Sequence, residues 1–157
     1  MRVTLDTTYL LPLFGVDIAL PNFREEFRRL LRAPISIDVS SVSVLEVKGK
    51  VVREIKRGRA LLASRFKPGL RSLLLSGRFR VIEYGVEIDD IVDELIRAGL
   101  DDLFDCVIAA TALHGSDLLV TEDEDIAAAI RRTSYRPFPT MRWGEFVTRF
   151  LKEQADE

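Results

Sequence analysis

Four short β-prone runs, Arg2–Leu5, 35–39, 79–84 and Leu118–Thr121, are separated by stretches with helical periodicity. This alternation limits the chain to a few architectures. Strands joined through helices can run parallel in one sheet, with the helices covering its faces, so an α/β domain with a mainly parallel central sheet is expected. Leu118-Leu-Val120 carries no polar residue before Thr121, as suits a strand buried on both faces.

The helices follow from spacing and punctuation. Phe23, Phe27, Leu30 and Leu31 predict an amphipathic helix over 23–32, with Asn22 as its cap and Pro34 beyond its end. Thr7-Thr8 opens a short helix that Pro12 should kink or end. Ser40-Ser41 starts a helix that carries Glu46 in its second turn. Residues 60–75 read as a helix interrupted near Pro68-Gly69, and Ile88 to Ile96 as one that stops at Gly99. Asp101 or Asp102 caps a helix reaching His114, and 126–131 make another. A last short strand is expected within 136–141, despite Pro137 and Pro139. Thr140 then caps a closing helix with Trp143, Phe146, Val147 and Phe150 facing inward. The expected boundaries are one domain over 1–152 and a frayed acidic tail over 153–157.

Composition narrows the setting. The chain has 157 residues, enough to bury a sizeable core without disulfides or structural metals. Its one cysteine excludes an internal disulfide and a multi-cysteine zinc knuckle. The longest apolar stretch, Leu10 to Pro21, contains Asp17 and is far short of the roughly 20 residues that span a bilayer. A cytoplasmic protein without membrane contact is expected. Charge is unevenly spread: Val47 to Arg80 holds 11 bases and one acid, net +10, whereas Val81 onward holds 18 acids and 7 bases, net −11. Such asymmetry fits a polyanion-binding surface beside an acidic site, and equally two helix faces of opposite sign.

The acids mark where chemistry would sit. In parallel α/β sheets, sites form beyond the carboxyl ends of strands. Asp6 ends the first strand and Asp123 follows the apolar one, while Asp105 and Glu46 lie early in helices. Singly, each has a bland explanation. Asp6 can cap a helix, Glu46 can pair with Lys50 at i, i+4, Asp105 can be a capping acid and Asp123 a turn acid. Together, four carboxylates on one edge repel one another and call for cations. An all-oxygen donor set favours Mg2+ or Mn2+. Other schemes are weaker: there is no G-x-S-x-G, P-loop or G-x-G-x-x-G, and Cys106 and His114 read as structural.

The same residues resemble the PIN-domain family. Leu5-Asp-Thr-Thr8 resembles its "LDTs" opening, Asp105-Cys-Val-Ile-Ala-Ala-Thr-Ala112 its "DalIAAtA" motif, and Leu119-Val-Thr-Glu-Asp-Glu-Asp-Ile126 its "lvTrDrdF" motif. Ser43-Val-Leu-Glu46 falls where these proteins carry a mid-chain acid on a helix. The match runs the length of the chain and is similar to the short, VapC-like toxins of toxin–antitoxin pairs. Ile126 stands where an aromatic is usual.

The resemblance implies a three-layer α/β/α sandwich and a Mg2+- or Mn2+-dependent endoribonuclease. Asp6, Glu46, Asp105 and Asp123 would be its catalytic and metal-binding quartet, with Thr7 and Thr121 holding the site by hydrogen bonds. Asp102 and Asp125 are additional candidate ligands. RNA is the implied substrate, and Lys48, Arg53, Lys56 and Arg57 would carry its backbone toward the acids. A homodimer and an antitoxin partner are expected. The alternatives are an RNA-processing PIN nuclease that is not a toxin, and a catalytically weak PIN-like binding module.

Overall fold

In the computed structural model, which describes residues 1–151, Arg2–Leu5 (β1) occupies the centre of a five-stranded sheet. Ser36–Ser40 (β2) and Phe79–Ile82 (β3) lie to one side; Leu118–Val120 (β4) and Thr140–Met141 (β5) lie to the other. The order is β3-β2-β1-β4-β5 and every pairing is parallel. Val3 is in register with Ile37 and with Leu118.

Among the described residues a 3-10 helix, Thr7–Phe14, and seven α-helices connect and follow the strands: Phe23–Arg32 (α1), Ser41–Lys56 (α2), Leu62–Leu75 (α3), Val86–Arg97 (α4), Leu103–Gly115 (α5), Glu124–Ile130 (α6) and Trp143–Phe150 (α7). Because strand side chains alternate between faces, each face of the sheet has its own core. Val3, Leu5, Ile37, Val39, Leu118 and Val120 pack with the 3-10 helix, α1, α2, α3 and α7. Leu119 packs with α4, α5 and α6. The result is the expected three-layer α/β/α arrangement. In α5, Cys106 through Leu113 are all buried, and Ala109, Ala110 and Ala112 supply its small-residue face. Among the described residues no helix is long and apolar enough to cross a membrane.

Four local expectations are corrected. Pro12 does not end its helix. The segment winds as a 3-10 helix through Phe14 and stops at Gly15, whose φ of 84° suits a residue without Cβ. Pro68 does not interrupt α3, which runs unbroken through it. The neighbouring Gly69 lets α3 sit directly on the 3-10 helix: a Cβ there would meet the Leu13 carbonyl oxygen and the Phe14 ring, each at 2.7 Å. That packing offsets the helix penalty of proline, about 3 kcal/mol. Asn22 takes the N-cap position of α1 as expected, but with φ 58° and no side-chain capping bond. Thr140 belongs to β5 rather than capping α7; the helix starts after Arg142, whose backbone N–H donates to Glu145 Oε2 at 3.0 Å. The expected tail over 153–157 lies outside the described residues.

One buried carboxylate escaped notice in the sequence. Asp38, 1% exposed on β2, accepts two hydrogen bonds from Arg80 on the adjacent strand, at 2.9 and 2.8 Å, and one from Ser116 at 3.0 Å. These partners satisfy a charge that burial would otherwise penalise heavily.

Candidate active site

The chain lays down β1, β2 and β3 in one direction, then crosses back to place β4 on the other side of β1. Strand order therefore reverses between β1 and β4. A crevice at the carboxyl ends of the strands is expected at such a reversal. Asp6 directly follows β1 and Thr121 directly follows β4. The Asp6 backbone N–H donates to the Val120 carbonyl at 3.1 Å and locks the two ends side by side.

Hydrogen bonds then fix the acids one by one. Thr121 Oγ1 donates to Asp6 Oδ2 at 2.7 Å and accepts from the Asp123 N–H at 3.0 Å, so one hydroxyl ties both acids to the β4 end. Asp123 is also the N-cap of α6, with Oδ1 accepting from the N–H groups of Asp125 and Ile126 at 2.7 and 3.3 Å. Asp102 is the N-cap of α5, accepting from Phe104 at 2.9 Å and Asp105 at 3.2 Å. Of the two capping candidates, Asp102 rather than Asp101 serves, which leaves the Asp105 carboxylate free of that duty. Thr7 Oγ1 donates to Ser43 Oγ at 2.9 Å and so ties the end of β1 to α2, one turn ahead of Glu46. The N-termini of α5 and α6, both at this edge, present the positive ends of their dipoles to the acids.

The charges that act on Asp105 name the carboxylates near it. Burial pushes the Asp105 carboxyl up to about 7, reinforced in turn by the charges of Asp102, Asp6, Asp123 and Glu46. Asp6 is raised as well, first by burial and then by Glu46, against the pull of the Thr121 hydrogen bond and Lys50. Each member of the quartet therefore lies within Coulombic reach of Asp105. Asp125 does not figure among these charges and is exposed on the first turn of α6. Glu46 splits its oxygens: Oε1 meets Lys50 Nζ at 2.7 Å, while Oε2 is buried with no hydrogen-bond partner. The i, i+4 pair is real, and it accounts for only half of the carboxylate.

The donor set fits a hard divalent cation. Among the described residues no three acids form a ready-made cation cage. Mg2+, however, keeps several of its waters and is commonly held by one or two carboxylates. An orphaned Glu46 oxygen, an Asp6 carboxyl raised by burial and a partly buried Asp105 carboxyl at about 7 are groups whose charge the protein compensates only in part, through Lys50 and the Thr121 hydroxyl.

The basic residues divide. Lys48 sits 4.0 Å over the Phe66 ring, and Arg57, with Arg59, pairs with Glu54 at 2.9 and 3.3 Å. Arg53 and Lys56 are exposed. Lys50, Arg53 and Arg57 fall four, seven and eleven residues after Glu46, so they form a stripe running from the acids along one face of α2. Cys106 is fully buried, its Sγ donating to the Leu100 carbonyl at 3.2 Å, and burial pushes its thiol up to about 11. It is no nucleophile at neutral pH. His114 is exposed in the last turn of α5.

An apolar groove of about 430 Å³ beside the acids was not anticipated. It is lined by Val42, Leu45, Tyr84, Leu103, Phe104 and Val107. Leu45, Leu103 and Phe104 are 66%, 59% and 41% exposed, unusual for such residues clustered together. The available signal was Leu103-Phe104, apolar yet set between the helix-capping acid and Asp105.

A family model described as the PIN domain matches residues 3–131. No curated protein matches the chain. Among solved structures, PAE2754 from Pyrobaculum aerophilum is 15% identical with a TM-score of 0.67, covering 96% of this chain and 95% of its own. VapBC2 from Rickettsia felis, solved bound to a DNA fragment from its promoter, is 16% identical with a TM-score of 0.62 and coverage of 91% and 99%. FitAcB from Neisseria gonorrhoeae is 16% identical with a TM-score of 0.59 and coverage of 88% and 96%. At these identities the likeness is one of fold.

Proposed function

The chain belongs to the PIN-domain family, and from that premise we propose that it is a Mg2+- or Mn2+-dependent endoribonuclease, the toxin of a VapBC-type toxin–antitoxin pair. The observation that carries the reading is that the charges of Asp6, Glu46 and Asp123 all raise Asp105 at the strand-order reversal, while the protein offsets them only in part, through Lys50. A phosphodiester is itself anionic and approaches such a cluster only with cations present. Asp6, Glu46, Asp105 and Asp123 would hold the ion, which supplies Lewis-acid activation of water and neutralises charge developing on phosphate. Thr121 keeps Asp6 and Asp123 in place. The stripe of Arg53 and Arg57, with Lys56 beside it, would hold the RNA backbone as it leads into the site, whereas Lys48 lies on another face of α2 over Phe66. The VapBC and FitAcB likenesses support an antitoxin partner.

Purified protein should cut labelled RNA with Mg2+ or Mn2+ and not with EDTA. Asp6→Asn should slow the cut at least about a hundredfold, roughly 2.7 kcal/mol of lost transition-state stabilisation. Equal cutting by wild type and variant would sink the metal-site reading. In the same assay, replacing Arg53, Lys56 and Arg57 by Ala should flatten the salt dependence of RNA binding by about one to three units of slope. The product of an adjacent small DNA-binding gene should block cutting if the protein is a toxin; an unblocked enzyme favours RNA processing.

We assign the apolar groove between α2 and α5 to a second copy of this chain, since monomers seldom leave such a patch open. Light scattering should give a dimer for the wild type and a monomer for Leu45→Glu combined with Phe104→Glu. A monomeric wild type overturns this assignment.

A further inference from the structure

Among the described residues, Lys50 is the one base paired with an acid of this edge. Its Nζ lies 2.7 Å from Glu46 Oε1, with the two side chains 33% and 21% exposed. The other i, i+4 pairs among the described residues are surface pairs: Arg29–Glu25 is 49% and 67% exposed, and Arg97–Asp93 is 74% and 61% exposed. Lys50 also acts on Asp6, where its charge opposes the effect of burial. Among the described residues no other base forms an ion pair with Asp6, Glu46, Asp105 or Asp123.

Glu46 and Asp6 reach this edge from α2 and β1, and like charges held together need a cation between them. A lysine ammonium is a compact point charge with three donors, able to serve two carboxylates at once. Its stem leaves α2 one turn beyond Glu46, so the helix itself delivers the charge to the site.

We propose that Lys50 is the resident cation of the acidic site: a positioning residue that stands in for one metal ion, so that the loaded centre holds one divalent ion beside the ammonium. The inference rests on the proposed metal-dependent activity. The ammonium steadies Glu46 and Asp6 before any ion arrives. It also repels a second divalent ion. Removing its charge opens the place to one.

The test is a Mn2+ titration of metal-free, full-length protein, read by calorimetry and by the loss of free-Mn2+ electron spin resonance signal. Wild type should bind one Mn2+ per chain. Lys50→Met, which keeps the aliphatic stem and removes the charge, should bind two. Lys50→Arg, which keeps the charge, should bind one. Melting of the metal-free proteins gives a second reading: Lys50→Met should melt below wild type, with Mn2+ restoring it, and Lys50→Arg should match wild type. Two Mn2+ per wild-type chain, or one for Lys50→Met at unchanged affinity, overturns the role of Lys50 while leaving the nuclease reading intact. No Mn2+ binding by either protein overturns the nuclease reading, and this inference with it.

Discussion

Asp105→Asn should end RNA cleavage and, in the same protein, raise the stability of the metal-free fold at pH 8. The two effects share one cause. The Asp105 carboxyl, ordinarily near 3.8, is pushed up to about 7 by burial and by Asp102, Asp6, Asp123 and Glu46. A raised carboxyl favours the protonated form in the folded state. Its stabilising contribution is complete below the unfolded value and is lost as pH rises through about 7. Above that pH the wild type carries a charge its neighbours repel, and asparagine relieves it. The gain should be about 1–2 kcal/mol, less than the full shift implies because Asp105 is only partly buried and is screened by solvent. Urea unfolding of both proteins with EDTA, from pH 4 to 8, checks it: the difference should open between pH 4 and 7 and then level off. Saturating Mn2+ should reverse the order, since only the charged wild type gains from the ion. A variant less stable than wild type at pH 8 without metal would show that the carboxylates do not crowd one another.

Trp143→Ala should cost about 3–5 kcal/mol, a large part of the stability of a domain this size. Trp143 is 2% exposed. Its ring centroid lies 4.5 Å from that of Phe23, 5.2 Å from Tyr9, 5.9 Å from Phe146 and 6.3 Å from Phe27. One residue thus joins α1, the 3-10 helix and α7 on a single face of the sheet. Its polar edge is used too: Nε1 donates to Glu26 Oε2 at 2.7 Å. The consequence reaches the site through Glu122, which accepts from the Trp143 backbone at 3.0 Å and from the Tyr9 hydroxyl at 2.9 Å and stands between Thr121 and Asp123. Trp143→Phe keeps a ring in the cluster and drops the Glu26 bond, a loss of about 1 kcal/mol. The denaturation midpoints of the two variants should separate accordingly. Equal midpoints would mean that the ring cluster does not anchor this face.

Much of this was legible before any coordinate. Short β-prone runs located β1, β2, β3 and β4 to within two residues, and the 3.6-residue period located α1 and α4, because burial of a strand or of one helix face leaves a local trace. The placement of Asp6 and Asp123 beyond strand ends followed from the same patterns. Proline misled twice. At Pro68 its local preference was overruled by the packing of α3 on Leu13 and Phe14, which are distant in sequence, and at Pro12 the chain continued as a 3-10 helix to Gly15. The choice between Asp101 and Asp102 as cap turned on backbone angles that sequence does not carry. The groove around Leu45 and Phe104 stayed hidden because each residue fits an ordinary amphipathic helix by itself, and only the meeting of α2 with α5 makes a patch of them.

By itself, the sequence determined the layered α/β class, the helix and strand periods and the stock of acids near strand ends. These depend on neighbours along the chain. Tertiary structure alone decided that β4 lies beside β1, that Thr121 bridges Asp6 to Asp123, and that Lys50, paired with Glu46, also bears on Asp6. Those choices were made by packing two apolar cores on opposite faces of one sheet, an energy shared among residues far apart in sequence and therefore absent from any local pattern.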